Sequence, residues 1–239
     1  MLVGEITMSE FRKGVRKSSV LIVPFGTVEA HGTHLPLNTD TLVIREAVRR
    51  VAERNMSVFM APPIQYGVCT STGPHPGTIG ISASSLRLLA SDIVKSGYAQ
   101  GFRNIILVSG HGGSIHVSAL KEVAEELVAE LDGLKMAAFS IYEVIGREAA
   151  EIAETKGDSH AGELETSLVL HLAPRLVKGR SKEEYPDFPR PLVVKDKLKY
   201  WPGAVWGDPG KATAEKGERL FNAMVEKLEE VAGRLERSR

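Results

Sequence analysis

Cysteine is nearly absent. Cys69 is the only one in 239 residues, so no internal disulfide can brace the chain, and a reducing, cytoplasmic setting is expected. That lone thiol is expected to be a packing side chain rather than a nucleophile. Net charge is absent too. Lys+Arg and Asp+Glu stand at 30 each, which leaves no global field to attract nucleic acid or an anionic membrane. No apolar run approaches the ~18 residues of a membrane span. Met1-Leu2-Val3-Gly4-Glu5 lacks the basic and apolar regions of a secretion signal. There is no internal repeat and no low-complexity stretch. What remains is ample core material, 43% hydrophobic, and residues 1–239 are expected to form one domain.

The elements alternate. An apolar run from Val20 to Phe25 reads as a strand, and Leu42, Val43, Ala47, Val48 and Val51 recur at helical spacing up to a stop near Asn55. Asp40 stands where an N-cap would. Residues 57–61 read as a short buried strand. A helix capped by Ser84 or Ser85 carries Leu86, Leu89, Ile93 and Val94 and ends at Gly97 and Gly101. Asn104 to Val108 is the clearest buried strand, followed by a helix over about 116–131, a strand over 134–140 and a helix over 145–155. A turn at 157–162 opens a helix that Pro174 stops. Residues 177–210 read as irregular, and a last helix runs over about 212–237 with Leu220, Met224, Leu228, Val231 and Leu235 on one face. Strands alternating with helices predict an α/β domain with a mostly parallel sheet.

Chemistry-bearing residues gather at strand ends. Glu29, His31, His34 and Asp40 fall within twelve residues after the first strand. In an extended segment positions i and i+2 point the same way, so Glu29 and His31 present a carboxylate and an imidazole together, a combination suited to Zn, Mn or Fe(II). Gly110-His111-Gly112-Gly113 follows the Asn104–Val108 strand, and Asp158 to Gly162 precedes another helix. In open α/β sheets the carboxyl ends of the strands share one rim, so these motifs are expected to meet. The glycine-rich turn is similar to an esterase oxyanion loop, but the Gly-x-Ser-x-Gly elbow is missing. It also suits a phosphate cradle, yet neither Gly-x-Gly-x-x-Gly nor a Walker pattern is present. A metal ligand at His111 accounts for a histidine in mid-turn.

The motifs in this order resemble the creatininase family of metal-dependent amidohydrolases. They are Glu29-Ala30-His31-Gly32-Thr33-His34-Leu35-Pro36 with Asp40, His75-Pro76-Gly77-Thr78, Gly110-His111-Gly112-Gly113, His160 through Ser167, and Val205-Trp206-Gly207-Asp208-Pro209. The resemblance implies a three-layer α/β/α fold, two divalent metal ions per chain (Zn, Mn or Fe(II)), hydrolysis of a non-peptide C–N amide bond in a small molecule, and a homo-oligomer, commonly a hexamer. By position it implies Glu29 and His111 on one metal, His31 on the other, Asp40 bridging, and His160 as the proton-transfer residue. His75, Gly112, Gly113 and Trp206 are candidate substrate contacts, His75 and His34 being equally open to structural roles. His116 and His171 are read as helix-face residues.

Two departures bear on substrate. Creatininase has a glutamate ligand two residues after the His111 equivalent, where this chain has Gly113. Its tryptophans precede the His160 equivalent, whereas Trp201 and Trp206 follow it here. Creatinine is therefore a doubtful substrate. Family members also include a pyrimidine-nucleotide deformylase of flavin and deazaflavin synthesis, and one that trims a peptide. The missing metal ligand must come from elsewhere. Glu163 and Glu165, two apart at a helix start, point about 200° from each other, so one alone can face the metals. Glu165, five residues after His160 and before Thr166-Ser167, is the expected ligand. Either glutamate also suits a helix N-terminus electrostatically. A non-catalytic metal- or nucleotide-binding scaffold is the alternative from another class.

Overall fold

The computed structural model describes residues 1–16 and 18–237. Four strands form one all-parallel sheet in the order β2-β1-β3-β4: β1 Val20–Phe25, β2 Val58–Met60, β3 Asn104–Ser109 and β4 Lys135–Ser140. Strand side chains alternate between faces, and the core divides accordingly. Val20, Ile22, Ile106 and Val108 pack with Val43, Val48 and Val51 of α2 (Thr39–Arg54) and Leu220, Met224 and Leu228 of α8 (Ala214–Arg237). Leu21, Val23, Ile105 and Leu107 pack with Leu86, Ala90 and Val94 of α3 (Ala83–Ala99) and Leu120 and Val123 of α4 (Ser114–Glu130). Helices therefore cover both faces, giving the expected three layers. Among the described residues no helix is long and apolar enough to cross a membrane.

Several boundaries differ from the sequence expectation. The helix expected over 145–155 begins earlier and is broken into α5 (Ile141–Val144) and α6 (Gly146–Ile152); the Glu143 carboxylate accepts the Ser140 N–H and starts a helical turn directly at the end of β4. Ser82, not Ser84 or Ser85, caps α3 by accepting the Ser85 N–H. Gly97 lies inside α3 rather than ending it; a Cβ there would approach Leu21 Cδ2 to 2.8 Å. Asp40 is not the N-cap of α2. Asn38 holds that place, which leaves Asp40 in the first turn with its carboxylate free for other work. An N-terminal helix, α1 (Met8–Gly14), opens with a Thr7/Glu10 capping box. The glutamates at issue lie on α7 (Glu163–Leu172). Between Leu176 and Pro209 no helix or strand forms, as the proline-rich sequence suggests.

Candidate metal centre

Glu29, His31 and Asp40 reach the sheet rim from the loop after β1 and the first turn of α2, and His111 comes from the turn after β3. That turn lies against α2 because residue 110 is glycine: a Cβ there would sit 2.2 Å from the Asp40 carbonyl oxygen. His111 is thereby brought onto the carboxylates. Its Nδ1 lies 2.6 Å from Glu29 Oε1 and 3.1 Å from Asp40 Oδ2. The other Asp40 oxygen, Oδ1, is 3.2 Å from His31 Nε2, which is also 3.6 Å from Glu165 Oε2. The two oxygens of Asp40 thus serve two imidazoles. Ligand atoms of Glu29, Asp40 and His111 lie within 4.8 Å of one another, as do those of His31, Asp40 and Glu165.

The carboxylates are buried and held. Glu29 and Asp40 are 1% exposed and Glu165 is 4% exposed. The Thr27 hydroxyl donates to Asp40 Oδ2 at 2.6 Å, the Thr72 hydroxyl donates to Glu29 Oε2, and the Ala161 N–H donates to Glu165 Oε2 at 2.6 Å. Among the described residues no lysine or arginine pairs with any of the three. Positive charge must come from elsewhere. With protons alone, the histidines supply it. Burial opposes ionisation of His31, yet Asp40, Glu165 and Glu29 raise its pKa to about 10. His111 is likewise raised by Glu29 and Asp40 against its burial. Asp40, despite burial, is held well below the usual carboxylate range by His31 and His111.

His160 stacks on His31, ring centroids 4.3 Å apart. Its Nε2 lies 2.8 Å from the Ala30 carbonyl oxygen, which assigns the proton to that nitrogen and leaves Nδ1 with its lone pair. Burial and the neighbouring His31 keep this ring below its ordinary pKa. The cluster opens onto a cavity of about 950 Å³ walled by Gly112, Gly113, His160, Phe188, Trp201 and Trp206.

The family model of creatinine amidohydrolase matches residues 4–232. The chain belongs to the creatininase family. A mycofactocin precursor peptide peptidase of Mycobacterium ulcerans is 35% identical over 225 residues, covering 86% of this chain and 81% of that protein. Creatinine amidohydrolase of Pseudomonas putida is 27% identical over 245 residues, covering 95% and 94%. A crystal structure of creatininase at 27% identity superposes with a TM-score of 0.86 over 100% of this chain and 98% of that one. Solved creatininase forms include a manganese form and a Zn–Zn form of a variant. The chain is a creatininase-family amidohydrolase.

Within this family frame the residues expected from sequence divide clearly. Glu29, His31, Asp40, His111 and Glu165 converge. Glu163 does not: it turns away to accept N–H bonds from Glu154 and Thr155 and to pair with Lys216 Nζ at 2.6 Å. His75, expected as a substrate contact, is corrected by its placement. It is 4% exposed, its Nε2 lies 2.6 Å from the Trp201 carbonyl and its Nδ1 3.2 Å from that of Thr72, so it anchors a cavity wall from behind. His34 bonds Ser181 and Thr166, and burial together with nearby His31 lowers its pKa to about 4. His116 accepts the Val68 N–H, and His171 packs on Phe221. The Cys69 thiol is raised in pKa by burial and by Glu29, which keeps it protonated. At Gly113 a Cβ would stand 2.2 Å from His111 Nε2, so His111 occupies the room a glutamate would need. Thr27, Thr72 and Tyr142 also belong to this region. Sequence reasoning missed them because a hydroxyl in a loop, as at Thr27 and Thr72, or in the first turn of a short helix, as at Tyr142, carries no spacing signal.

The donor set fits a pair of divalent ions. Buried carboxylate and neutral imidazole suit Zn, Mn or Fe(II), and Asp40 offers an oxygen to each half of the site. Metal charge would replace the protons that otherwise balance three buried carboxylates.

Proposed function

We propose that the protein hydrolyses a C–N amide bond at a site whose residues would hold two divalent metal ions, which would supply activated water. Two donor sets that share Asp40, at the edge of a large cavity, carry the proposal. Glu29, Asp40 and His111 would hold one ion, and His31, Asp40 and Glu165 the other. Three protein ligands per ion leave room for water and substrate. Such a pair, when bound, brings the pKa of a water towards ~7 and polarises the amide carbonyl.

The remaining steps fall to side chains. His160 Nδ1, unoccupied by the fold, accepts the proton of the attacking water as its oxygen bonds to the carbonyl carbon. When the C–N bond breaks, the same nitrogen returns that proton to the departing amine. The Ala30 carbonyl holds the ring in the tautomer this requires. Gly112 and Gly113 leave the wall open beside the reacting centre.

The substrate we favour is longer than the small-molecule, non-peptide amides that the family resemblance implies. A cavity of about 950 Å³ far exceeds the needs of creatinine. The relative at 35% identity is named for a precursor peptide. A peptide segment, cut at one amide, fits both observations. A homo-oligomer is proposed on family grounds alone, since the apolar face of α8 is used within the chain.

The test is a screen of metal-reconstituted protein against short peptides, formylated pyrimidines and cyclic amides including creatinine, reading released amine. Peptide turnover is expected. Turnover confined to a formamide or to creatinine would overturn the substrate assignment, and absence of turnover on every class with both metals bound would favour the non-catalytic scaffold.

A further inference from the structure

Each carboxylate of the double site raises the same question: what fixes its unliganded lone pairs? For two of them the answer is a buried hydroxyl. Thr72 donates to Glu29 and Thr27 to Asp40. Glu165 has the Ala161 N–H on Oε2, and His31 faces that same oxygen. Among the described residues its Oε1 receives no hydrogen bond.

Tyr142, the second residue of α5, lines the same cavity wall as this carboxylate. Its hydroxyl is buried and makes no hydrogen bond. A buried donor without an acceptor is destabilising, and native folds rarely keep one without a purpose. The residue is placed by β4, which ends at Ser140 and turns straight into α5, where the Glu143 carboxylate accepts the Ser140 N–H. The outer strand therefore delivers a phenol to the rim where β1 and β3 deliver ligands.

We propose that Tyr142 is the positioning residue of the second metal site, its hydroxyl donating to Glu165 once that carboxylate turns its charge onto an ion. The proposal rests on the two-metal reading given above. The proton stays on the phenol throughout. Hydrogen bonds of this kind orient a ligand, and their loss typically lowers metal affinity about 10–100-fold.

Metal content is the readout, without need of a substrate. Wild type, Tyr142→Phe, Glu165→Gln and the double variant are loaded with Zn, dialysed against graded chelator and analysed for bound ion. Wild type should retain about two ions per chain. Tyr142→Phe should release one of them at about 10–100-fold lower chelator strength and keep the other. In the Glu165→Gln background the tyrosine change should have no further effect, because both act on one ion. The metal-free melting temperature of Tyr142→Phe should be no lower than that of wild type, since an unpartnered hydroxyl is all it removes. Two ions held as tightly as in wild type would overturn the proposal. So would equal weakening in both backgrounds, or a lower metal-free melting temperature. Wild type that holds fewer than two ions would instead defeat the two-metal reading itself.

Discussion

The ring of His160 lies over the ring of His31, 4.3 Å between centroids and 29° from parallel. One imidazole faces the carboxylates of the metal centre and the other faces the cavity, in van der Waals contact. In the proposed reaction, burial and the neighbouring His31, which lower the pKa of His160, favour release of its proton to the leaving amine.

His160→Ala should keep bound metal and fold while turnover drops about 10²–10⁴-fold, the usual contribution of general acid–base help. Metal analysis and steady-state kinetics on the same preparation decide it. Wild-type kcat in the variant would remove His160 from proton transfer.

Glu165→Gln should lower bound metal from about two to about one ion per chain. Glu163→Gln should leave the metal count unchanged but weaken the fold by roughly 1–3 kcal/mol, because Lys216 and two backbone N–H groups lose a charged acceptor. Elemental analysis paired with urea unfolding separates the two glutamates. A lower metal count in Glu163→Gln would reverse the assignment.

Gly113→Glu installs the residue type creatininase carries, yet it should reduce metal binding rather than add a ligand. The new Cβ would stand 2.2 Å from His111 Nε2, so the histidine must leave its place against Glu29 and Asp40. A variant that gains metal affinity or creatinine turnover would show that the turn can accommodate both side chains.

His34 gives the stability a pH dependence. Its pKa is lowered to about 4 by burial and by His31. The unfolded chain takes up a proton near the ordinary value of about 6.5, which the folded chain resists, so His34 contributes stability that is complete above that pH and lost as pH falls towards 4. Between about pH 7.5 and pH 5 the loss should be about 2 kcal/mol, and His34→Asn should remove that part. Unfolding midpoints of the two proteins at both pH values test it. Parallel decline would exclude His34 as the source.

Much of this was legible before any coordinates. Hydrophobic periodicity gave the strand–helix order, because β1, β3, α2 and α8 are long and amphipathic or fully apolar. Strand ends then gathered Glu29, His31, Asp40 and His111 by topology alone. The turn angle of a helix separated Glu165 from Glu163. The misses have physical causes. His75 looked like a site residue, but whether an imidazole faces a cavity or a backbone carbonyl depends on the fold of residues far along the chain, here Trp201. The break between α5 and α6 went unseen because Ile141, Ile145 and Ile152 all bury, so the apolar pattern runs on through it. Tyr142 had no signature, since its meaning comes from where β4 ends.

Trp206 exchanges backbone hydrogen bonds with His160, and His75 grips Trp201, so the irregular stretch that walls the cavity also sets the height of His160, the residue proposed for proton transfer. A lineage that reshapes this wall to admit a new substrate cannot leave the reacting centre untouched. Selectivity and rate are inherited here as one trait, and variants selected for a new substrate should show early losses in kcat that later substitutions around Trp201 and Trp206 restore.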